Sequence, residues 1–377
     1  MDQGIKDIIK RFQAVVDNPE AYARGWKKDK GQSVIGYFCS YAPEEIMFAS
    51  GGLPYRIVGS GRRIRLADSH LQAYSCSLVR GAMEDALGGH LDFLDGTVFP
   101  HTCDSIQRLS DMWRMNAGMD FHLDVVLPVK LDSGTAREYM VQVLRRFRDD
   151  LEQAVGTEIP DEKIKSAAHV YNAVRACLRN IYTMRRKNPG MISGSDILAL
   201  TRGMMMMDRD QALDLLTKLG DKLSENQEPQ GSTEKRIVLA GGLCSMPDIF
   251  EIIETSGGVI VDDDLCTGSR YFDGEIDLDD DIFESLADRY LKRAVCPAKH
   301  VGLYTRGEHL VDMVKESRAD GVLFLYLKFC DPHAFDYPYM KTMLDEAGIP
   351  SMLYELEDSS PSEGQFRTRC EAFMEML

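Results

Sequence analysis

The sequence predicts an α/β protein with two duplicated domains, each a parallel sheet covered by helices on both faces, plus a helical region. Three observations carry this. Eight short apolar runs fall into two groups of four, with helix-period stretches between most of them. The residues between the groups are charged and helical in pattern. A phrase near the start, "GYFCSYAPEEIMFASGG" (Gly36 to Gly52), returns in nearly the same form as "LAGGLCSMPDIFEIIETSGG" (Leu239 to Gly258).

In chain order, "MDQGIKDIIKRFQ" reads as an amphipathic helix, because its apolar residues recur at helical spacing without a continuous apolar core. "VIGYF", "YRIVG", "GTVF" and "HLDVVL" then read as buried strands. From about Ser133 to Asn226, "TAREYMVQVLRRFRDDLEQAV" and "DEKIKSAAHVYNAVRACLRNIYTMRR" carry apolar residues at three- and four-residue steps. The polar stretch "SENQEPQGSTEKR", Ser224 to Arg236, is the expected linker. "RIVLAGG", "GGVIVDD", "GVLFLYL" and "SMLYELE" are four more strands. The expected division is therefore 1–132 for N-terminal helices and the first α/β domain, 133–226 for the helical region, and 227–377 for the second α/β domain.

The repeat sharpens that division. Each half has a strand, then Cys-Ser (Cys39 and Ser40; Cys244 and Ser245), a proline, a helix, Ser-Gly-Gly and another strand. Each half also carries Asp-Gly, an apolar run and Cys-Asp: "DGTVFPHTCD" ends at Cys103 and Asp104, "DGVLFLYLKFCD" at Cys330 and Asp331. A duplicated fold explains both. Ligands of parallel sheets gather at the carboxyl ends of strands, where these cysteines fall.

Composition narrows the classes. At 377 residues, two or three domains are expected, and 44% hydrophobic with 28% charged residues is ordinary for a globular protein. A net charge of −16 with no basic stripe argues against nucleic acid. No apolar run approaches the roughly 20 residues that span a bilayer, so the expected location is cytoplasmic, with no membrane partner. Nine cysteines in a chain of this size point to thiols, metal ligands or redox chemistry rather than a disulfide framework.

There is no Cys-x-x-Cys pair, no His-Glu-x-x-His and no phosphate-binding glycine loop. Any metal ligands must therefore converge from distant strand ends. Cys76, in "AYSCSLVRGAME", Cys103 and Cys330 are the candidates. Cys103 and Cys330 precede an aspartate expected to cap a helix, and Cys76 begins a helical stretch, so free N–H groups there would favour a thiolate or an anionic cluster. The competing reading, a small buried hydrophobe, weighs evenly for these three on spacing alone. It prevails for Cys39, Cys244 and Cys266, and more strongly for Cys177, Cys296 and Cys370.

A resemblance separates the two readings. "VFPHTCDSIQRLSDMWR", "GGVIVDDDLCTGSRYF", "FLYLKFCDPHAFDYPYMKTMLDEAGIPSMLYELE" and "QFRTRCEAFMEML" resemble the family of 2-hydroxyacyl-CoA dehydratase subunits and class I benzoyl-CoA reductase subunits, most of all the smaller, β-type dehydratase subunit. "PEEIMFASGGLP" fits it too, and the likeness spans nearly the whole chain. It implies two Rossmann-like domains with a helical region, and a [4Fe–4S] cluster held by three cysteines that carry over to Cys76, Cys103 and Cys330. It also implies a heterodimer with a larger, homologous α-type subunit, an acyl-CoA substrate, and a separate ATP-hydrolysing iron–sulfur activator that injects one electron. The family reaction is a reversible syn elimination of water through a ketyl radical anion. Three thiolates leave one iron free for a carbonyl oxygen.

The first loop is expected over the cluster, with Cys39 and Ser40 beside it without ligating iron. A serine of this loop in the larger subunits contacts the ligand at the open iron, and Ser40 is the matching catalytic candidate; the competing reading is a helix N-cap. Glu44 and Glu45 are expected to complement a helix dipole rather than to move protons. The methionine run "GMMMMDRD" reads as core or interface, "VDDDLC" as a solvated turn, and His101, His122, His300 and His333 show no ligand spacing. Arg62 and Arg63 are basic residues that could meet CoA phosphates. The expected function is the iron–sulfur subunit of an (R)-2-hydroxyacyl-CoA dehydratase, a lyase of anaerobic amino-acid fermentation. Alternatives are a subunit of an ATP-dependent benzoyl-CoA-type reductase, a double-cubane small-molecule reductase, or a non-catalytic electron-relay subunit.

Overall fold

The computed structural model describes residues 2–59, 61–225, 234–242, 247–293, 296–356 and 363–377. Cys244, Ser245 and most of the expected linker lie outside the described residues.

Two helices lead the chain, α1 (Gln3–Asp17) and α2 (Pro19–Lys30). Asp2 caps α1 by accepting from the Gly4 N–H at 3.1 Å, and Pro19 opens α2 at the position where a missing N–H costs nothing. The first sheet follows: β1 (Val34–Tyr37), α3 (Glu44–Ala49), β2 (Leu53–Arg56), α4 (Ser77–Leu87), β3 (Gly96–Pro100), α5 (Asp104–Asn116) and β4 (Phe121–Val125). Its order is β2-β1-β3-β4, and every pairing is parallel. Gly96 is dictated by that register, since a Cβ there would overlap the Phe121 ring on the neighbouring strand.

Four helices intervene: α6 (Ala136–Val155), α7 (Asp161–Lys187), α8 (Gly194–Met204) and α9 (Arg209–Glu225). The second sheet comprises β5 (Lys235–Gly241), α10 (Pro247–Thr255), β6 (Gly258–Asp264), α11 (Ser269–Phe272), α12 (Ile282–Lys292), α13 (Thr305–Ser317), β7 (Gly321–Leu327), α14 (Asp331–Glu346) and β8 (Ser351–Leu356), closed by α15 (Glu363–Met376). Its order, β6-β5-β7-β8, repeats that of the first sheet, again all parallel. The eight strands expected from the sequence are the eight strands found, within three residues at their ends. The duplicated α/β architecture is thus present in the topology itself.

The core is not confined to each sheet. Val174, Leu178 and Ile181 of α7 share an apolar cluster with Val34 of β1 and with Phe38 and Phe99. Met204, Met205, Met206 and Met207 are buried in the same cluster, which makes the methionine run core. Gly203 lets α8 approach α1, because a Cβ would sit 2.8 Å from the Phe12 carbonyl oxygen. Polar ties cross the same seam: Glu44 accepts from Arg209 at 2.8 Å, and Glu45 pairs with Arg175 in full burial. Losing one member of such a pair costs about 3–5 kcal/mol, so the short α3 is anchored by charge to α7 and α9. No described helix is long and apolar enough to cross a membrane.

Candidate functional site

Cys103 follows β3 and Cys330 follows β7, at equivalent carboxyl ends of the two sheets. Cys103 is the N-cap of α5, Cys330 of α14, and Cys76 of α4. The sequence predicts the cap on the following aspartate; the aspartates instead form the first helical turn, and each thiol occupies the cap position itself. None of the three side chains makes a capping hydrogen bond. The favoured caps are Ser, Thr, Asp and Asn, because their oxygens accept the orphan N–H groups. Cysteine at all three positions leaves those donors directed toward whatever sits at the sulfur.

The three thiols lie within electrostatic reach of one another. Burial first, and then the nearby Cys76, Cys39 and Cys296, push the Cys103 thiol up to about 12, although the Ile106 N–H pulls the other way. Cys330 is raised likewise, by burial and then by Cys76, with Cys103 and Cys266 adding to it. The N–H groups of Ile106 and His333 do favour the thiolates, as expected of helix N-termini, but in the polypeptide alone burial outweighs them. Sγ of Cys330 is 3.2 Å from Nδ1 of His333, whose imidazole burial keeps neutral. His333 is thus tied to a candidate ligand three residues before it, a nearness that the sequence already shows.

Around this group stand three more cysteines. Cys39 follows β1 with φ +56°, Cys266 follows β6, and Cys296 follows α12. Cys296 is raised to about 12 by burial, then by Cys266 and Cys39. Six thiols from both halves thus form one neighbourhood. Cys296 also packs against an apolar cluster, as its apolar reading expects; its nearness to the other thiols is not signalled by anything beside it in sequence. Soft thiolate donors suit iron–sulfur clusters, so the chemistry of the set fits such a group. Among the described residues, no three His, Cys, Asp or Glu side chains converge closely enough to hold a metal ion ready-made.

Ser40 is buried and accepts from Nη2 of Arg293 at 3.3 Å. It is not a helix cap, for Pro43 holds that position on α3. Glu44 accepts from Tyr271 Oη at 2.8 Å as well as from Arg209. Burial disfavours a charge on Glu45, but Arg175 and Arg289 prevail and hold its carboxyl below the usual range. Both glutamates are engaged structurally.

The "VDDDLC" run is not a solvated turn. Asp262, Asp263 and Asp264 are buried in β6. Asp262 pairs with Arg186 at 2.6 Å, Asp263 accepts from Tyr182 Oη at 2.6 Å, and Asp264 bridges Arg270 at 3.1 Å and Arg306 at 2.8 Å. Turn statistics fail here because basic side chains distant in sequence supply the compensating charge. His101 and Ser110 gather on His122 and Asp124 of β4 in a polar network. His300 bridges to Lys130 through the backbone. Arg62 reaches Asp85 at 3.6 Å, and Arg63 is exposed.

Comparison with known proteins agrees with this architecture. The family described as 2-hydroxyglutaryl-CoA dehydratase, D-component, matches residues 39–377. The chain is similar to the (R)-phenyllactyl-CoA dehydratase beta subunit of Clostridium sporogenes, 28% identical over 97% of both chains. It is similar to a benzoyl-CoA reductase subunit of Thauera aromatica, 27% identical over 98% of both. It also resembles the beta subunit of (R)-2-hydroxyglutaryl-CoA dehydratase from Acidaminococcus fermentans, 28% identical over 99% of this chain and 100% of that one.

Proposed function

The chain belongs to the 2-hydroxyglutaryl-CoA dehydratase D-component family, and from that premise we propose that it is the β-type, iron–sulfur subunit of an (R)-2-hydroxyacyl-CoA dehydratase. The reaction is reversible loss of water from the acyl-CoA. The partners are a larger α-type subunit and an ATP-hydrolysing activator that delivers one electron; the similar proteins above are likewise named as subunits. What supports this reading is that Cys76, Cys103 and Cys330 each occupy a helix N-cap and that Cys103 and Cys330 both feel the charge of Cys76.

Those three residues would hold a [4Fe–4S] cluster. Such a cluster supplies low-potential electrons and, at an iron without a protein thiolate, a Lewis acid. The chain's own contribution is to bind and shield. The uncapped N–H groups of α4, α5 and α14 offset negative charge at the sulfurs. His333 fixes the Cys330 side chain through its 3.2 Å contact. Sealed in ion pairs, Glu44 and Glu45 leave Ser40 as the candidate to meet substrate on the first loop.

The test is iron and acid-labile sulfide per chain, on protein purified without oxygen, for wild type and Cys103→Ala. About four of each are expected, and their loss in the variant. No iron after anaerobic reconstitution would sink the reading. With a partner subunit present, (R)-2-hydroxyacyl-CoA is expected to be dehydrated and an aryl-CoA left unreduced. The reverse result would transfer the chain to the benzoyl-CoA-type reductases. Dehydration retained in Ser40→Ala, with iron intact, would make this subunit an electron relay.

A second reading has its own support. With Cys39, Cys266 and Cys296 beside the first three thiols, a double-cubane reductase of small molecules would have the donors it needs. Its mark is about eight irons per chain, reduced by Cys296→Ala as well as by Cys103→Ala.

A further inference from the structure

Buried charge in the second half is mostly matched. Arg270 and Arg306 share Asp264, Arg306 also takes Asp336, and Arg186 takes Asp262. Arg289 is held by the carbonyls of Tyr271, Asp273 and Gly274; Arg293 and Lys299 break the pattern. They are 4% and 1% exposed, and neither has a carboxylate partner among the described residues. The Arg293 guanidinium lies 3.9 Å above the Tyr41 ring and 5.2 Å from that of Tyr290. Its Nη2 donates to Ser40, and beyond the Tyr41 side chain Nε and Nη1 meet no partner among the described residues. Nζ of Lys299 donates to the Leu127 carbonyl at 3.2 Å and sits 5.6 Å from the same Tyr41 ring. Two cations therefore flank one aromatic ring in a dry setting. A buried cation without a counter-charge costs several kcal/mol, so the arrangement calls for an anion.

We propose that Arg293 and Lys299 form a binding site for an anionic oxygen of a small molecule, a carboxylate or a thioester carbonyl oxygen that is gaining charge, with Ser40 as third donor. Ser40 accepts from Arg293, which leaves its own proton free to donate to the bound oxygen. Tyr41 holds the guanidinium from one face, so the site is set before the anion arrives. This rests on the dehydratase reading for the identity of the oxygen, but not for the existence of the site. Cys39 and Cys296 also face these cations, and a thiolate there is the rival occupant.

Acetate is the probe. Thermal unfolding of the full chain, purified without oxygen and with its iron, is followed against sodium acetate, with chloride holding ionic strength constant. A saturable rise of about 2 °C is expected at ten times the dissociation constant. Half-saturation should move at least tenfold in Arg293→Gln and Lys299→Gln, and less in Arg293→Lys, which keeps the charge. An equal acetate response in wild type and both Gln variants would overturn the proposal. So would an acetate response that emerges only in Cys39→Ser, because the cations would then serve the thiol. If acetate binds as expected while the complex dehydrates no 2-hydroxyacyl-CoA, the anion site stands and the assigned reaction falls.

Discussion

The two sheets share one strand order and differ in their chemistry. The left-handed residues fall at different places, Cys39 after β1 at φ +56° and Phe329 after β7, the counterpart of β3, at φ +64°. In each sheet, the strand that pairs next to the first one ends in a cysteine that caps a helix, Cys103 or Cys330. The outer strands have diverged. β2 ends in Arg56 under the Tyr37 ring, whereas β6 ends in three buried aspartates. The crossover from second to third strand carries Cys76 in one half and both Cys266 and Cys296 in the other. Duplication therefore preserved the places where chemistry can be put and left free what was put there. That is the expected division of labour when a fold supplies strand ends and loops supply function.

The comparison is broken most severely at the shared position. Cys103→Ala and Cys330→Ala should be equally damaging, each abolishing dehydration and cluster content; iron analysis and a coupled assay check this. A variant that keeps its iron would show that one half alone holds the group.

Next in size is the buried pair of the first half. Glu45→Gln strands Arg175 and should cost about 3–5 kcal/mol in denaturant unfolding. Because the folded carboxyl titrates below its unfolded value, its contribution is complete above about pH 4.3 and is lost as pH falls through the depressed folded value.

The second half should respond with the opposite sign. Burial raises Asp262 to about 6, with Arg186 opposing and Asp263 adding to the rise. Between about pH 4 and 6 the folded state binds a proton that the unfolded state does not, so stability falls as pH rises across that window. Asp262→Asn should remove about 2–3 kcal/mol of this slope, read from urea midpoints at pH 4 and pH 7. A slope unchanged in the variant would place its origin elsewhere.

The smallest effect concerns the strained corner. Phe329→Gly relieves a positive φ but loosens the unfolded chain, so unfolding free energy should rise by under about 1 kcal/mol. A fall of more than that would mean the ring packs in a way its 44% exposure does not suggest.

Strand reading succeeds here because parallel strands buried on both faces are short continuous apolar runs, as in "GVLFLYL" and "RIVLAGG". The repeat is legible for the same reason: Asp-Gly, apolar run, Cys-Asp is one local unit written twice. What sequence does not convey is long-range charge. The aspartates of β6 look like a turn until Arg186, Arg270 and Arg306 arrive from other elements. Ser40 looks like a cap until Pro43 takes that place and Arg293 reaches the hydroxyl across 253 residues. Cys296 packs against an apolar cluster as its sequence context suggests, and its nearness to Cys266 is what sequence does not show. The candidate ligands themselves are separable from buried hydrophobes only through family resemblance, since spacing leaves both readings open.

Cys103 and Cys330 belong to opposite ends of the polypeptide, and that has a consequence in time. Translation proceeds at about 5–20 residues per second, so roughly 230 residues between them mean that the first thiols leave the ribosome about 10–45 s before the last. Throughout that interval Cys76 and Cys103 are present without Cys330. Under the proposed ligand set, a cluster that needs all three thiols can therefore form only after the second half has been synthesised, however early the first half folds.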